Sequence, residues 1–270
     1  MHPAVKQLVT TLVPRPLLRP LLQRRFLATR EWANRHWGVF DSFEAANQWI
    51  AAQGQVSQFR LDHRRWREER LGLMVHDYPM LFWLDRVLQG RSTARVADLG
   101  GSVGVSYYAF RRVLPFGDGL QWQVCELPET VAAGREIAQE QGAVQLSFTS
   151  DPAALDGADV LFAAGAIQYI ETPLPDTLRA MQAPPAHVLI NRLPLSGRHP
   201  THVTLQHSGQ AISPYRIANR REFLDAMAQA GYRQVDTWRC LENATDIPLH
   251  PEHALPWFHG FYFTRQDTAR

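Results

Sequence analysis

Cysteine is nearly absent from this 270-residue sequence, which has only Cys125 and Cys240. They lie far apart and without metal-ligand spacing, which excludes a disulfide framework and fits a reduced, cytoplasmic compartment. Long apolar runs are missing too. Pro14, Pro16, Pro20 and the arginines between them break the N-terminal leucine-rich stretch well short of the roughly 18 residues a membrane span requires. No apolar stretch is followed by a small-residue cleavage site, so a secretory signal is not expected. Net charge is also scarce, since 28 basic and 26 acidic residues leave a formal +2, which argues against a nucleic-acid partner. Local charge is less even. Residues 1 to 40 hold seven basic side chains and one acid, Glu31, a segment suited either to weak contact with an anionic membrane surface or to a solvated basic face.

What is present divides into two regimes. Residues 1–92 read as a helical cap, with Phe43, Ala46, Asn47 and Ile50 at helical spacing behind an N-cap at Asp41 or Ser42, and a further helix near Pro79 stopped by Gly90. No alternating strand stands out there. From residue 93 to 270 strands alternate with helices, ending in "NRREFLDAMAQAG", "YRQVDTW" and "FHGFYFTR". This pattern predicts an α/β domain with a doubly wound, mostly parallel seven-stranded sheet, its last strand antiparallel. The tryptophans at 32, 37, 49, 66 and 83 are expected as cap core rather than a stacking platform.

The stretch "RVADLGGSVGVSYYAF" places Gly100, Gly101 and Gly104 between the first strand of that domain and a helix. Ligands of such sheets sit beyond the carboxyl ends of the strands, and glycine lets them approach the backbone. Ser102 stands where a dinucleotide fingerprint needs its second glycine, and no Gly-Lys-Ser/Thr follows, so neither a dinucleotide turn nor a Walker A loop is matched. An acid, Asp98, ends the strand instead and suits a ligand bearing an ammonium group. Glu126 ends the next strand, where a carboxylate accepts from both hydroxyls of a ribose. It supports a nucleoside without choosing between cofactors.

The order Asp98, Gly100, Gly104, Glu126 and then "AAGAIQYIETP" resembles a class I S-adenosylmethionine-dependent methyltransferase. More narrowly, "WGVFDSFEAA", "ADLGGSVGVSYYAF", "WQVCELPETVAAGR" and "GAIQYIETPL" resemble a bacterial methyltransferase family with a "GGSxGxSYY" turn and an "LQYIxxP" segment, over roughly residues 37 to 240. The resemblance implies a Rossmann-like fold and S-adenosyl-L-methionine as cofactor. It implies that Asp98, Gly100, Gly101 and Gly104 surround the methionine moiety and Glu126 the ribose. Ser150 or Asp151 would lie near the adenine amine, and Ala164 to Tyr169, Gln168 included, would line the sulfonium and the substrate entrance. Asn191-Arg192-Leu193-Pro194 departs from the Asp-Arg-Thr-Pro-like run expected after the fifth strand, while Gln206 and Tyr215 are kept.

Candidate bases come from outside the turn. His199, His202 and His207 cluster between the fifth strand and the last helix, and His207, beside Gln206, is the choice for a general base or acceptor-positioning group. His76, Asp77 and Tyr78 precede the core domain, where they either orient a polar substrate or cap a helix. Of Tyr107 and Tyr108, one is expected to face the pocket; with Tyr169, Gln206 and Tyr215, Tyr108 is assigned to the substrate. Metal is not expected, because His199/His202 and His250/His253 lack an accompanying acid or cysteine at helical spacing. The expected activity is methyl transfer to a hydroxyl, or an amine, of a small molecule, sugar or glycan precursor. The rivals are a non-catalytic scaffold and, disfavoured by Ser102, an NAD-dependent oxidoreductase.

Overall fold

The computed structural model describes residues 15–29, 35–55, 71–209 and 211–266. Lys6, Arg30, Glu31, Trp32 and Trp66 lie outside them, so the basic segment and the tryptophan-rich cap are described only in part. Among the described residues the strands form two sheets.

The larger sheet is the predicted one. Its strands are β2 (Thr93–Leu99), β3 (Gly119–Cys125), β4 (Leu146–Thr149), β5 (Val160–Ala164), β6 (His187–Leu193), β10 (Tyr232–Cys240) and β11 (Phe258–Arg265), in the order β10-β11-β6-β5-β2-β3-β4. Only β11 and β10 run antiparallel to their neighbours. The central strands β5, β2 and β6 are buried on both faces, as apolar runs of this kind dictate, whereas the edge strand β10 is largely exposed. Along β5, Val160 and Phe162 enter one core with Val96 and Trp122, while Leu161 and Ala163 enter the other with Val188 and Ile190. Helices α4 (Val105–Phe110) and α5 (Pro128–Glu140) cover the first face together with α3 (Asp77–Leu88), which buries Met80 and Leu84 there. The second face is covered by α6 (Leu174–Ala180) and α7 (Arg220–Gln229).

The smaller sheet was not expected. The region before residue 92, read as wholly helical, contains β1 (Arg35–Phe40), which pairs antiparallel with β8 (His202–His207). The region between the fifth strand and the last helix contributes β7 (Leu195–Ser196), β8 and β9 (Ile212–Asn219), giving the order β1-β8-β9-β7. Helix α1 (Arg15–Leu27) and helix α2 (Phe43–Ala52) lie on this sheet, where Phe26, Trp37, Phe43, Ala46 and Ile50 pack with Val203, Leu205 and Ile212. Ser42 caps α2 by accepting from the Ala45 N–H at 3.1 Å, one of the two caps expected. All six residues of β8 are buried although the strand reads His-Val-Thr-Leu-Gln-His. No described helix is long and apolar enough to cross a membrane.

Candidate functional site

A cavity of about 1190 Å³ opens between the two sheets, beyond the carboxyl ends of β2, β3, β4 and β5. Small-molecule pockets commonly enclose about 300–1,000 Å³. This one is slightly larger than that range. It sits where the chain, after running outward from β2 through β3 to β4, crosses back to β5, the switch point at which open α/β sheets bind ligands.

The floor is the turn after β2. Gly100 has φ +69, and a Cβ there would stand 2.2 Å from Cβ of Ala166, so the turn and the loop after β5 touch only because the residue is glycine. Ser102 has φ +54, and its N–H donates to Oε1 of Glu126 at 3.2 Å. The other carboxylate oxygen of Glu126 accepts from Leu127 N–H at 2.9 Å. Burial raises the Glu126 pKa, and these two amides oppose the rise.

Asp98 lies beneath the floor rather than in it. It is fully buried, Oδ2 accepts from Trp122 Nε1 at 3.0 Å, and Oδ1 has no hydrogen-bond partner among the described residues. Burial pushes its pKa up to about 7, against the pull of Trp122. A Cβ on residue 101 would stand 2.3 Å from Oδ2, so the backbone of Gly101 alone separates this carboxyl from the cavity. Ser102 Oγ is a second buried oxygen without a partner.

The wall opposite is built by the end of β6 and by the second sheet. Asn191 is buried as a junction: Nδ2 donates to His76 O at 2.9 Å and Oδ1 accepts from Trp238 Nε1 at 3.0 Å and from Arg192 N–H at 3.2 Å. An acid at 191 would lose the donor half of this junction. Arg192, at φ +56, turns into the cavity, donates to Ala164 O and stacks its guanidinium 3.1 Å from where a Cβ of Gly165 would lie. Its Nε has no partner among the described residues. From the second sheet come Gln206, whose Oε1 accepts from the Tyr169 hydroxyl, and Tyr215, whose hydroxyl meets Gln168. Although 39% of Tyr169 is exposed, burial of its hydroxyl pushes the pKa up to about 12, and Tyr215 is raised further by burial and by Tyr169. Both phenols therefore stay protonated at neutral pH and act as donors.

Of the residues singled out in the sequence, Gly100, Gly101, Glu126, Ser150, Ala164, Gln168, Tyr169, Gln206 and Tyr215 line this one cavity. Others do not. His207 lies on the opposite face of β8 from Gln206, its Nδ1 accepting from Gly209 N–H at 3.0 Å and its ring edge-on to Phe26 at 5.5 Å, so it is no base for this cavity. Tyr78 is 59% exposed and points away. Tyr107 and Tyr108 are both buried in the core, and neither reaches the pocket. Asp151 caps the short turn after β4, accepting from Ala153 N–H at 2.9 Å, and leaves the lining to Ser150. Gly104 contacts no ligand space; a Cβ there would stand 2.7 Å from Leu146 Cδ2, so it serves helix-to-strand packing. Arg192 carries no signal of its own in the sequence; only the left-handed backbone at the end of β6 brings it into the cavity. Among the described residues no cluster of His, Cys, Asp and Glu is arranged to hold a metal ion.

No protein-family model matches the chain, and no curated protein matches it. Solved structures do. An amino pentose methyltransferase, CalS10 from Micromonospora echinaspora, is 16% identical with a TM-score of 0.46, covering 78% of this chain and 100% of its own. The Burkholderia thailandensis 1,6-didemethyltoxoflavin-N1-methyltransferase is 18% identical with a TM-score of 0.43, over 78% of this chain and 93% of that one. The [4+2]-cyclase SpnF is 13% identical with a TM-score of 0.47, over 84% and 98%. Likeness at this level assigns no activity.

Proposed function

We propose that this chain binds S-adenosylmethionine and transfers its methyl group to a hydroxyl, or an amine, of a small molecule or sugar. The observation that carries the reading is Glu126, clasped by two backbone amides at the end of β3 and facing the cavity beside the glycine turn. A carboxylate so held keeps lone pairs for a vicinal diol. The unpartnered Ser102 Oγ on the cavity lining fits an amino-acid tail with a donor to place beside Gly101, while Asp98, beneath the turn, supports the floor without reaching the ligand. When bound, S-adenosylmethionine supplies an electrophilic methyl group on a positively charged sulfur.

The chain's own residues then do the rest. Glu126 fixes the ribose, Ser150 lies toward the base, and Gly100 with Gly101 admits the tail. Ala164 and Gln168 form the boundary between the two ligands, and Tyr215, with the Tyr169 hydroxyl held by Gln206, lines the acceptor's side. Transfer is an in-line displacement, so alignment contributes most of the acceleration.

Thermal unfolding in the presence of S-adenosylmethionine, S-adenosylhomocysteine or NAD tests the reading. Ligand at about 100 times its Kd adds roughly 2.7 kcal/mol to stability, a shift of several degrees at most. Stabilisation by the two sulfur nucleosides alone is expected, with Glu126→Ala abolishing it. A shift with NAD alone would replace the proposal with an oxidoreductase. No shift with any would leave a scaffold. Radiolabelled methyl transfer to a panel of phenols, sugars and amines follows on the first outcome.

A further inference from the structure

His76 is 4% exposed, lines the cavity and has its two ring nitrogens in unlike surroundings. Nδ1 is 3.3 Å from Oε2 of Glu242, in the connection between β10 and β11. An ionised carboxylate can only accept, so Nδ1 carries the proton of a neutral ring. Nε2 makes no hydrogen bond among the described residues. The nearest acid to it, Asp77 Oδ1, is 3.7 Å away, and that carboxylate already accepts from Met74 N–H at 2.9 Å and Asn191 Nδ2 at 3.4 Å. The charged groups around the ring are therefore Asp77, Glu242 and Arg192.

We propose that His76 is the general base of the transfer, with Glu242 as the positioning residue that fixes its tautomer. The proposal rests on the methyltransferase reading above. The acceptor O–H proton passes to Nε2 while the oxygen lone pair forms the new C–O bond. The C–S bond breaks with its electrons going to sulfur, neutralising it. Products are a methyl ether, S-adenosylhomocysteine and an imidazolium paired with Glu242. Burial lowers the His76 pKa, with Asp77 and Glu242 opposing the shift and Arg192 adding to it, so the ring is neutral at pH 7 and free to take a proton at Nε2. A clasp between the two segments is already made by Val75 N–H to the Glu242 carboxylate. It requires no imidazole with one nitrogen left unbonded on a cavity wall.

The tautomer of His76, read by long-range ¹H–¹⁵N correlation on the full-length protein at pH 7, tests this without a known acceptor. The Nδ1–H form with a bare Nε2 is expected, kept in Glu242→Gln, whose amide oxygen still accepts, and lost in Glu242→Leu. An Nε2–H or doubly protonated ring in the wild type overturns the proposal, and so does a tautomer indifferent to Glu242→Leu. Should that variant not fold, the wild-type and Glu242→Gln spectra decide. For any hydroxyl acceptor that turns over, His76→Gln is expected to lower kcat by about 100-fold or more, with the Kd for S-adenosylhomocysteine within twofold. Loss of S-adenosylhomocysteine binding in the wild type would instead sink the methyltransferase reading, and the two failures are thus separable.

Discussion

Asp98 shows how much a single side chain can tell. A carboxyl that ionises near pH 7 in the folded chain but near 3.8 when unfolded makes the folded state the tighter proton binder between those values. Stability on this account is greatest below about pH 4, falls as pH rises and is lowest above 7, by an amount on the order of a few kcal/mol. Asp98→Asn is expected to flatten that slope, and urea midpoints of both proteins at pH 5 and pH 8 measure it; equal slopes would show that Asp98 is ionised throughout. At this scale the turn and Glu126 were legible because chain-local spacing from a strand end sets where such residues fall. His207, Tyr78 and Tyr108 were not. Which side of a strand or helix a residue faces depends on partners distant in sequence, as Gln206 and His207, adjacent and opposite, demonstrate.

Elements carry the next lesson. The β2-α4 unit holds its register through Gly104, whose φ of +83 and contact with Leu146 exclude a side chain. Gly104→Ala is expected to lose about 1–3 kcal/mol in urea unfolding while S-adenosylhomocysteine affinity stays within twofold, because the residue faces β4 and not the cavity. A large loss of affinity without loss of stability would put Gly104 back among the binding residues. The large sheet was readable because its central strands are apolar runs separated by helices, with the more polar β10 following the last helix directly. The small sheet was not. Strand β8 carries His202, Thr204, Gln206 and His207, a polar pattern buried by elements distant in sequence: β1 and β9 on its edges, the helices beside Leu205, and His253 against His202.

For the molecule as a whole, the two sheets divide the labour: the large one carries the turn and Glu126, the small one the Gln206 and Tyr215 wall. Trp37, 4% exposed and stacked on Phe26 at 6.0 Å, anchors the edge strand β1 in the core between the small sheet and its helices. Trp37→Ala is expected to cost about 3–5 kcal/mol there and to speed limited proteolysis around β1 and β8, with S-adenosylhomocysteine affinity falling less than tenfold. Uniform loss of protection across the chain would mean that the sheets unfold as one unit. A helical cap over a sheet, the sequence-level picture, predicts no such division of walls. It differs from the structure because β1 is only six residues long and finds its partner far along the chain.

That pairing has a cost in time. Arg35 meets His207, about 170 residues later. At some 5–20 residues per second, a ribosome has about 9 to 34 s of synthesis between the first strand and its partner. Throughout that interval Trp37 and Phe40 belong to a strand with no partner strand, an unpaired edge open to pairing with another copy of itself.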